Sequence, residues 1–203
     1  MKIILDKEQL LEIVQISTRF TSKRLSAIQS LQGALFTVEG GKLGVFATNL
    51  NTNFSAILKL KNTVKESTSF VTDPKKLAEF LTLLSPGDVV INIEEKKLVV
   101  QKEKNQGTFS VMESADFPLP PKLSEQPTVL KAEQFKKTLP YILFAASRDE
   151  ARPTLSGVNF VSSDGELITV ATDGFRLSLL KEKNTQKIPS MLVPRAFFEE
   201  VLS

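Results

Sequence analysis

The stretch Leu31–Asn49, LQGALFTVEGGKLGVFATN, returns 124 positions later as Leu155–Asp173, LSGVNFVSSDGELITVATD, without a gap. Leu31/Leu155, Gly33/Gly157, Phe36/Phe160, Gly41/Gly165, Leu43/Leu167, Ala47/Ala171 and Thr48/Thr172 are identical, seven matches in nineteen positions. The same offset pairs Lys7 with Lys131, Phe20 with Phe144 and Arg24 with Arg148. After a slip of three, Glu79 and Leu81 fall on Glu200 and Leu202. Two copies of one structural unit therefore follow each other along the chain.

Each copy of the repeated stretch alternates apolar and polar residues on either side of a turn, Gly40-Gly41 in the first and Asp164-Gly165 in the second. That pattern predicts a β-hairpin. A helix precedes it in both copies. Leu10, Leu11, Ile13, Val14 and Ile16 form an apolar stripe in the first, with Glu8, Glu12, Gln15 and Arg19 on the other face. Phe135, Leu139, Ile142 and Ala146 form the stripe in the second, where Pro140 should kink or shorten the helix. A second helix follows in each copy, started by Asp73-Pro74 and by Pro194. Its expected buried residues are Leu77, Phe80, Leu81 and Leu84 in one copy and Phe197, Phe198, Val201 and Leu202 in the other. The first copy then continues through strands at Asp88–Ile93, Lys97–Gln101 and about Gly107–Met112.

Proline-rich sequence from Phe117 to Pro121, then Lys122 to Thr128, separates the copies. Proline removes backbone donors and biases its neighbour to extended geometry, so this segment is an interdomain strap. The division expected is residues 1–120 for the first repeat, 121–128 for the linker and 129–203 for the second. The second copy stops inside its second helix, before the counterparts of the last strands of the first. The chain is therefore expected to be a portion of a longer one.

Composition narrows the chemistry. The 203 residues include no His and no Cys, which removes Ser-His-Asp and Cys-His nucleophilic sites, His or thiolate metal sites and disulfides. No cofactor or metal is implied. Hydrophobic residues make up 41% of the chain and charged residues 24%, enough for a packed core. No apolar run approaches the roughly 18 residues of a membrane helix, and Met1-Lys2-Ile3-Ile4 lacks a signal-peptide core. A cytoplasmic protein without a membrane partner is expected. The 26 basic and 23 acidic side chains leave a charge of +3, spread along the chain, which neither demands nor forbids a nucleic-acid partner.

No glycine-rich phosphate loop is present. Ser178-Leu-Leu-Lys181 has the spacing of a nucleophile and its base, but in a strand those two side chains point to opposite faces. Asp149, Glu150 and Asp173 could hold Mg²⁺ through waters, though their spacing fits a solvated loop better. Basic residues recur at equivalent places: Lys23 and Arg24 after the first helix of one copy, Arg148 and Arg152 after that of the other, and Lys75, Lys76 and Arg195 at the starts of the second helices. Such repetition fits contact with phosphates without base specificity, against the plainer reading of a solvated charged face.

The string Ala171-Thr-Asp-Gly-Phe-Arg-Leu177 follows Arg152-Pro-Thr-Leu-Ser-Gly-Val158, and Asp116-Phe117-Pro118 closes the first unit. Together they resemble the bacterial sliding clamps, the β subunits of the replicative DNA polymerase III. The resemblance implies an α+β fold of tandem DNA-clamp repeats, each with two helices packed on antiparallel sheet. It implies three repeats per chain and a head-to-tail homodimer closed around double-stranded DNA, with the Glu8, Glu12, Gln15, Arg19 stripe facing the hole. Grip would come from topology, and weak phosphate contacts would permit sliding. Partners implied are the polymerase III catalytic subunit and the clamp loader, docking a linear motif at a pocket whose residues here are Leu155, Thr172, Gly174, Phe175, Arg176 and Leu177. The DNA-facing candidates are Arg24, Arg148, Arg152, Lys75, Lys76 and Arg195. The protein would be a non-enzymatic accessory factor of the nucleoid. Two alternatives are a two-repeat protein binding DNA by surface contact alone and a Mg²⁺-dependent phosphoryl-transfer enzyme.

Overall fold

Both hairpin turns adopt the left-handed backbone their residues permit. Gly40 and Gly41 lie at φ +55° and +74°, Asp164 and Gly165 at +52° and +77°. Positive φ at both central residues matches the right-handed twist of the flanking strands. These values come from a computed structural model that describes residues 1–22, 29–119, 132–149, 151–184 and 188–202. The chain divides into two units, Met1–Lys122 and Leu123–Ser203. Among the described residues, no helix is long and apolar enough to cross a membrane.

In the first unit, β1 (Lys2–Asp6) leads into α1 (Lys7–Ser17), whose N-terminus is capped by the Asp6 carboxylate accepting from Gln9 N at 3.0 Å. Strands β2 (Ala34–Glu39), β3 (Lys42–Thr48), β4 (Asn53–Lys59) and β5 (Thr68–Thr72) form one antiparallel sheet in the order β4-β3-β2-β5. Helix α2 (Pro74–Thr82) follows, with Asp73 as N-cap and Pro74 in its first turn. Strands β6 (Asp88–Ile93), β7 (Lys97–Lys102) and β8 (Asn105–Ser110) join β1 in a second antiparallel sheet, β1-β6-β7-β8. A bridge between Val71 and Met112 links the chain after β8 to β5. The helices bury Leu10, Val14, Leu77 and Leu81 against Ile3, Leu5, Phe36, Val45, Leu98 and Val100. Full burial of each such side chain favours folding by about 1.5–3 kcal/mol.

A smaller cluster lies apart from that core. Phe117 is only 6% exposed, packed with Leu35 and Val71 and flanked by Phe46 and Met112. Leu35 pairs across the sheet with both Phe46 and Val71, so these three side chains form one row on one face. The segment after β8 thus straps the sheet, and Phe117 is its anchor.

The second unit has α3 (Ala132–Leu143), then β9 (Gly157–Ser163), β10 (Glu166–Thr172), β11 (Leu177–Lys183) and β12 (Met191–Pro194) in the sheet order β11-β10-β9-β12, and α4 (Arg195–Leu202). Phe160 sits between Phe135 and Phe198, at 5.7 Å between ring centroids on either side. Leu139, Ile142, Ala146, Leu167 and Ala171 complete the core.

Four expectations need adjustment. Helix α3 runs through Pro140 and ends at Leu143, because Leu139, Ile142 and Leu143 are all buried and their packing offsets the lost backbone bond. Pro194 closes β12, and the helix begins one residue later at Arg195. Of the apolar residues on α4, Phe198 is buried whereas Phe197 and Val201 are exposed, lining an apolar groove of about 320 Å³ with Phe135, Leu139 and Met191. The last strand of the first unit is Asn105–Ser110, two residues earlier than its apolar pattern implies, since β8 alternates about Gly107 and Phe109 to match β7.

Candidate functional site

The segment between β10 and β11 is a tight turn built by two side chains. Asp173 accepts from Phe175 N and Arg176 N through Oδ1, both at 3.0 Å, and from Arg176 Nε through Oδ2 at 2.8 Å. The Thr172 hydroxyl donates to Arg176 O at 2.7 Å and accepts from Gly174 N at 3.1 Å. Gly174 takes φ +92°, a left-handed value that glycine adopts at no steric cost. The backbone N–H groups of Arg176 and Phe175, then the Arg176 guanidinium, hold the Asp173 carboxyl below the usual carboxylate range.

This turn sends its side chains in two directions. Arg176 lies over the Phe144 ring, 5.8 Å from its centroid, and lines an open pocket of about 480 Å³ with Phe144, Ser147, Arg148, Asp173 and Arg195. Phe175 is 96% exposed. Thr172 and Leu177 are cross-strand partners on the sheet face opposite Ala171 and Ser178, whose hydroxyl donates to Tyr141 O of α3. That outer face continues as a row, Leu192, Asn159, Val170 and Leu179, in register across all four strands. Leu177, Leu179 and Leu192 on it are exposed.

The six expected docking residues therefore split. Thr172, Gly174, Phe175, Arg176 and Leu177 share the turn and its strand ends. Leu155 is half-buried at the close of the α3–β9 connection, where its N–H donates to Arg152 O and its carbonyl accepts from Ser147 N. The expected DNA-facing residues also divide. Arg148 and Arg195 are brought into one pocket with Arg176, assigned beforehand to docking. Arg152 is exposed, its guanidinium 3.7 Å from Asp149. Lys75 and Lys76 are exposed on the first turn of α2, where Asp73 accepts from both backbone N–H groups and lies 3.8 Å from Lys76 Nζ. Arg24, with Lys23, falls outside the described residues, as does Glu150 of the Mg²⁺ alternative. Glu8, Glu12 and Gln15 are exposed on α1, and Arg19 is exposed on the 3-10 turn Thr18–Phe20 that follows it. Glu8 is engaged, accepting from Gly87 N at 3.2 Å and pairing with Lys7 at 3.2 Å, and the Gly87 bond holds its carboxyl below the usual range.

Sequence reasoning missed Leu179 and Leu192 as part of the outer face, and Phe144 as the platform under Arg176. Leu179 carries a signal, since residues two apart on a strand share a face. Phe144 and Leu192 carry none without the fold.

The family model for the DNA polymerase III beta subunit N-terminal domain matches residues 1–121, and that for the central domain of the same subunit matches residues 129–202. The chain belongs to the DNA polymerase III beta subunit family. The beta sliding clamp of Pseudomonas aeruginosa is 28% identical over 204 residues, covering 96% of this chain and 54% of its own. The beta sliding clamp homolog GriR of Streptomyces muensis is 27% identical over 199 residues, covering 96% of this chain and 52% of its own. The crystal structure of the Pseudomonas aeruginosa DNA polymerase III subunit beta matches with a TM-score of 0.84 at 25% identity, over 100% of this chain and 56% of that one. The chain spans about half the length of the curated beta subunits it matches. The α+β clamp fold implied by the resemblance is the fold shared with these structures.

Proposed function

We propose that this chain acts as part of a DNA sliding clamp, a ring that encircles duplex DNA and tethers the replicative polymerase for processive synthesis. One observation carries this reading: two tandem helix-on-sheet units matching successive domains of the beta subunit family. On this reading the protein is an accessory factor with no chemistry of its own, works in the cytoplasm at the nucleoid, and contains three repeats, of which residues 1–120 and 129–203 supply the first and most of the second. Two copies pair head to tail. The sheets end in edge strands such as β4, β8 and β11, and pairing such edges within a closed ring is a physical reason for the arrangement.

The outer-face leucines beside the Thr172–Leu177 turn support docking of a partner's linear motif there, from the polymerase III catalytic subunit or the clamp loader. Arg148, Arg152, Lys75 and Lys76 are exposed and suit weak phosphate contact; Arg24 is carried by the family pattern. A few weak contacts leave the ring free to move, because tight ones would act as a brake.

The test loads the full-length protein onto a nicked circular plasmid and passes it through a sizing column in high salt, with half of the sample linearised beforehand. Retention on the circle and loss from linear DNA is the expected result. Equal loss from both would replace the ring with surface-contact binding.

A further inference from the structure

Arg195 stands at the first turn of α4 and is one of the residues that the resemblance turns toward DNA. Its surroundings point elsewhere. The side chain is only 14% exposed. Nη1 donates to Ala146 O at 2.8 Å, and Nε donates to Glu199 Oε1 at 2.7 Å. Its backbone N–H donates to Ser156 O at 2.9 Å. One residue thus ties α4 to both ends of the connection between α3 and β9. That connection is itself closed by Ser147 N donating to Leu155 O at 2.8 Å, and it carries Arg148 and Arg152, both exposed.

We propose that Arg195 is a positioning residue: it holds Ala146 and Ser156, the two ends of the α3–β9 connection, so that Arg148 is presented to DNA, and it does not itself bind phosphate. This rests on the reading that Arg148 faces DNA. A guanidinium with Nε and one Nη committed to partners, and mostly withdrawn from water, reaches a phosphate only by giving up hydrogen bonds that its burial makes costly to lose. Arg148 stands at the same pocket and is exposed, free of that constraint. The planar fork matters. It spans a carbonyl on one element and a carboxylate on another, which a lysine ammonium on its flexible stem does not reproduce. For a phosphate contact the reverse holds, since lysine serves there as a point charge.

The experiment measures binding of a short DNA duplex to the full-length protein across a salt series, for Arg148→Met, Arg195→Met, Arg195→Lys and the double variant Arg148→Met/Arg195→Met. Amide exchange at Ser147 is followed in parallel. Loss of one phosphate contact in Arg148→Met flattens the slope of log affinity against log salt by roughly one. The expected result is that Arg195→Met and Arg195→Lys each weaken binding several-fold and speed exchange at Ser147, while Arg195→Met adds less than twofold on top of Arg148→Met. Equal, additive losses in both backgrounds would make Arg195 a direct contact and overturn the proposal, as would wild-type affinity in Arg195→Lys or unchanged exchange at Ser147. An Arg148→Met chain that binds like wild type overturns the DNA-facing reading instead, and the positioning role with it.

Discussion

Thr48 and Thr172 close the same turn in the two units. The Thr48 hydroxyl donates to Thr52 O and accepts from Leu50 N, each at 3.0 Å, as Thr172 does with Arg176 O and Gly174 N. Asn49 then accepts from Asn51 N and Thr52 N where Asp173 accepts from Phe175 N and Arg176 N. One scaffold has been kept and its surface changed, so that only the second copy presents an exposed phenylalanine and an arginine.

The third residue of this turn has positive φ in both units, Gly174 at +92° and Leu50 at +74°. Leucine is strained there by about 1–2 kcal/mol, and Leu50 is exposed, so little packing offsets the strain. Replacing it with asparagine, which tolerates the left-handed region, should stabilise the chain by about 0.5–1 kcal/mol in urea unfolding. Leu50→Val should destabilise it, because β-branching is least compatible with that backbone. A lower midpoint for Leu50→Asn would refute the strain.

Asp173 should titrate below the ordinary carboxylate value of about 3.9. Its folded pKa is lowered, so its contribution is complete above the unfolded value and is lost as pH falls through the folded one. The largest causes are the N–H groups of Arg176 and Phe175, with the guanidinium behind them. Carboxyl-carbon NMR should therefore find Asp173 still depressed in Arg176→Met. Return to the ordinary value would place the cause in the ion pair instead.

Docking of a partner motif beside the turn is tested by Leu177→Asp combined with Leu179→Asp, both exposed on the outer face. Charges on the apolar lining should abolish binding of the polymerase catalytic subunit, while circular dichroism shows the fold intact. Binding that survives in a folded double variant would move the docking site elsewhere.

How far the sequence carries depends on whether a feature is local. Gly40-Gly41 and Asp164-Gly165 announce hairpins because the turn itself demands their backbone, and Asp73-Pro74 announces a helix start by its own capping chemistry. Leu10, Val14, Leu77 and Leu81 mark a buried stripe through helical spacing alone. Spacing does not say what covers a stripe, which is why Phe197 and Val201, patterned like core residues, are exposed. Nor does it say which way a long side chain leaves its strand. Arg176 belongs to the Thr172–Leu177 turn by its backbone and to the arginine pocket by its guanidinium, and only the packing of Phe144 beneath it separates the two.

Phe117 should matter for stability more than a linker residue ordinarily does. It fills the row formed by Val71, Leu35 and Phe46 on the first sheet. The equivalent row in the second unit, Leu192, Asn159 and Val170, includes an exposed leucine. Truncation of a buried phenylalanine typically costs 3–5 kcal/mol, and Phe117→Ala should fall near the low end, about 3 kcal/mol by urea unfolding, because the strap lies at the surface. A cost below about 1 kcal/mol would mean the strap merely rests on the sheet.

Gly33 and Gly157 are identical in the repeat because each lies where the chain enters the sheet against a neighbouring strand, yet they should not be equally sensitive. A Cβ at Gly33 would stand 2.5 Å from Val71 Cγ1 and 2.9 Å from Thr72 O. Val71 is wholly buried and β-branched, and the carbonyl is backbone, so neither yields. At Gly157 the nearest atoms are Leu192 Cδ1 at 2.8 Å and Cγ at 2.9 Å, with Val193 O at 3.0 Å. Leu192 is exposed and can swing aside, which leaves the Val193 carbonyl at 3.0 Å as the fixed contact, without a second rigid neighbour such as Val71 at Gly33. Overpacking typically costs 1–3 kcal/mol. Gly33→Ala should lie near the upper limit, about 3 kcal/mol, and Gly157→Ala near the lower, about 1 kcal/mol. Urea unfolding of both variants decides it, and equal costs would show that Val71 relaxes as readily as Leu192.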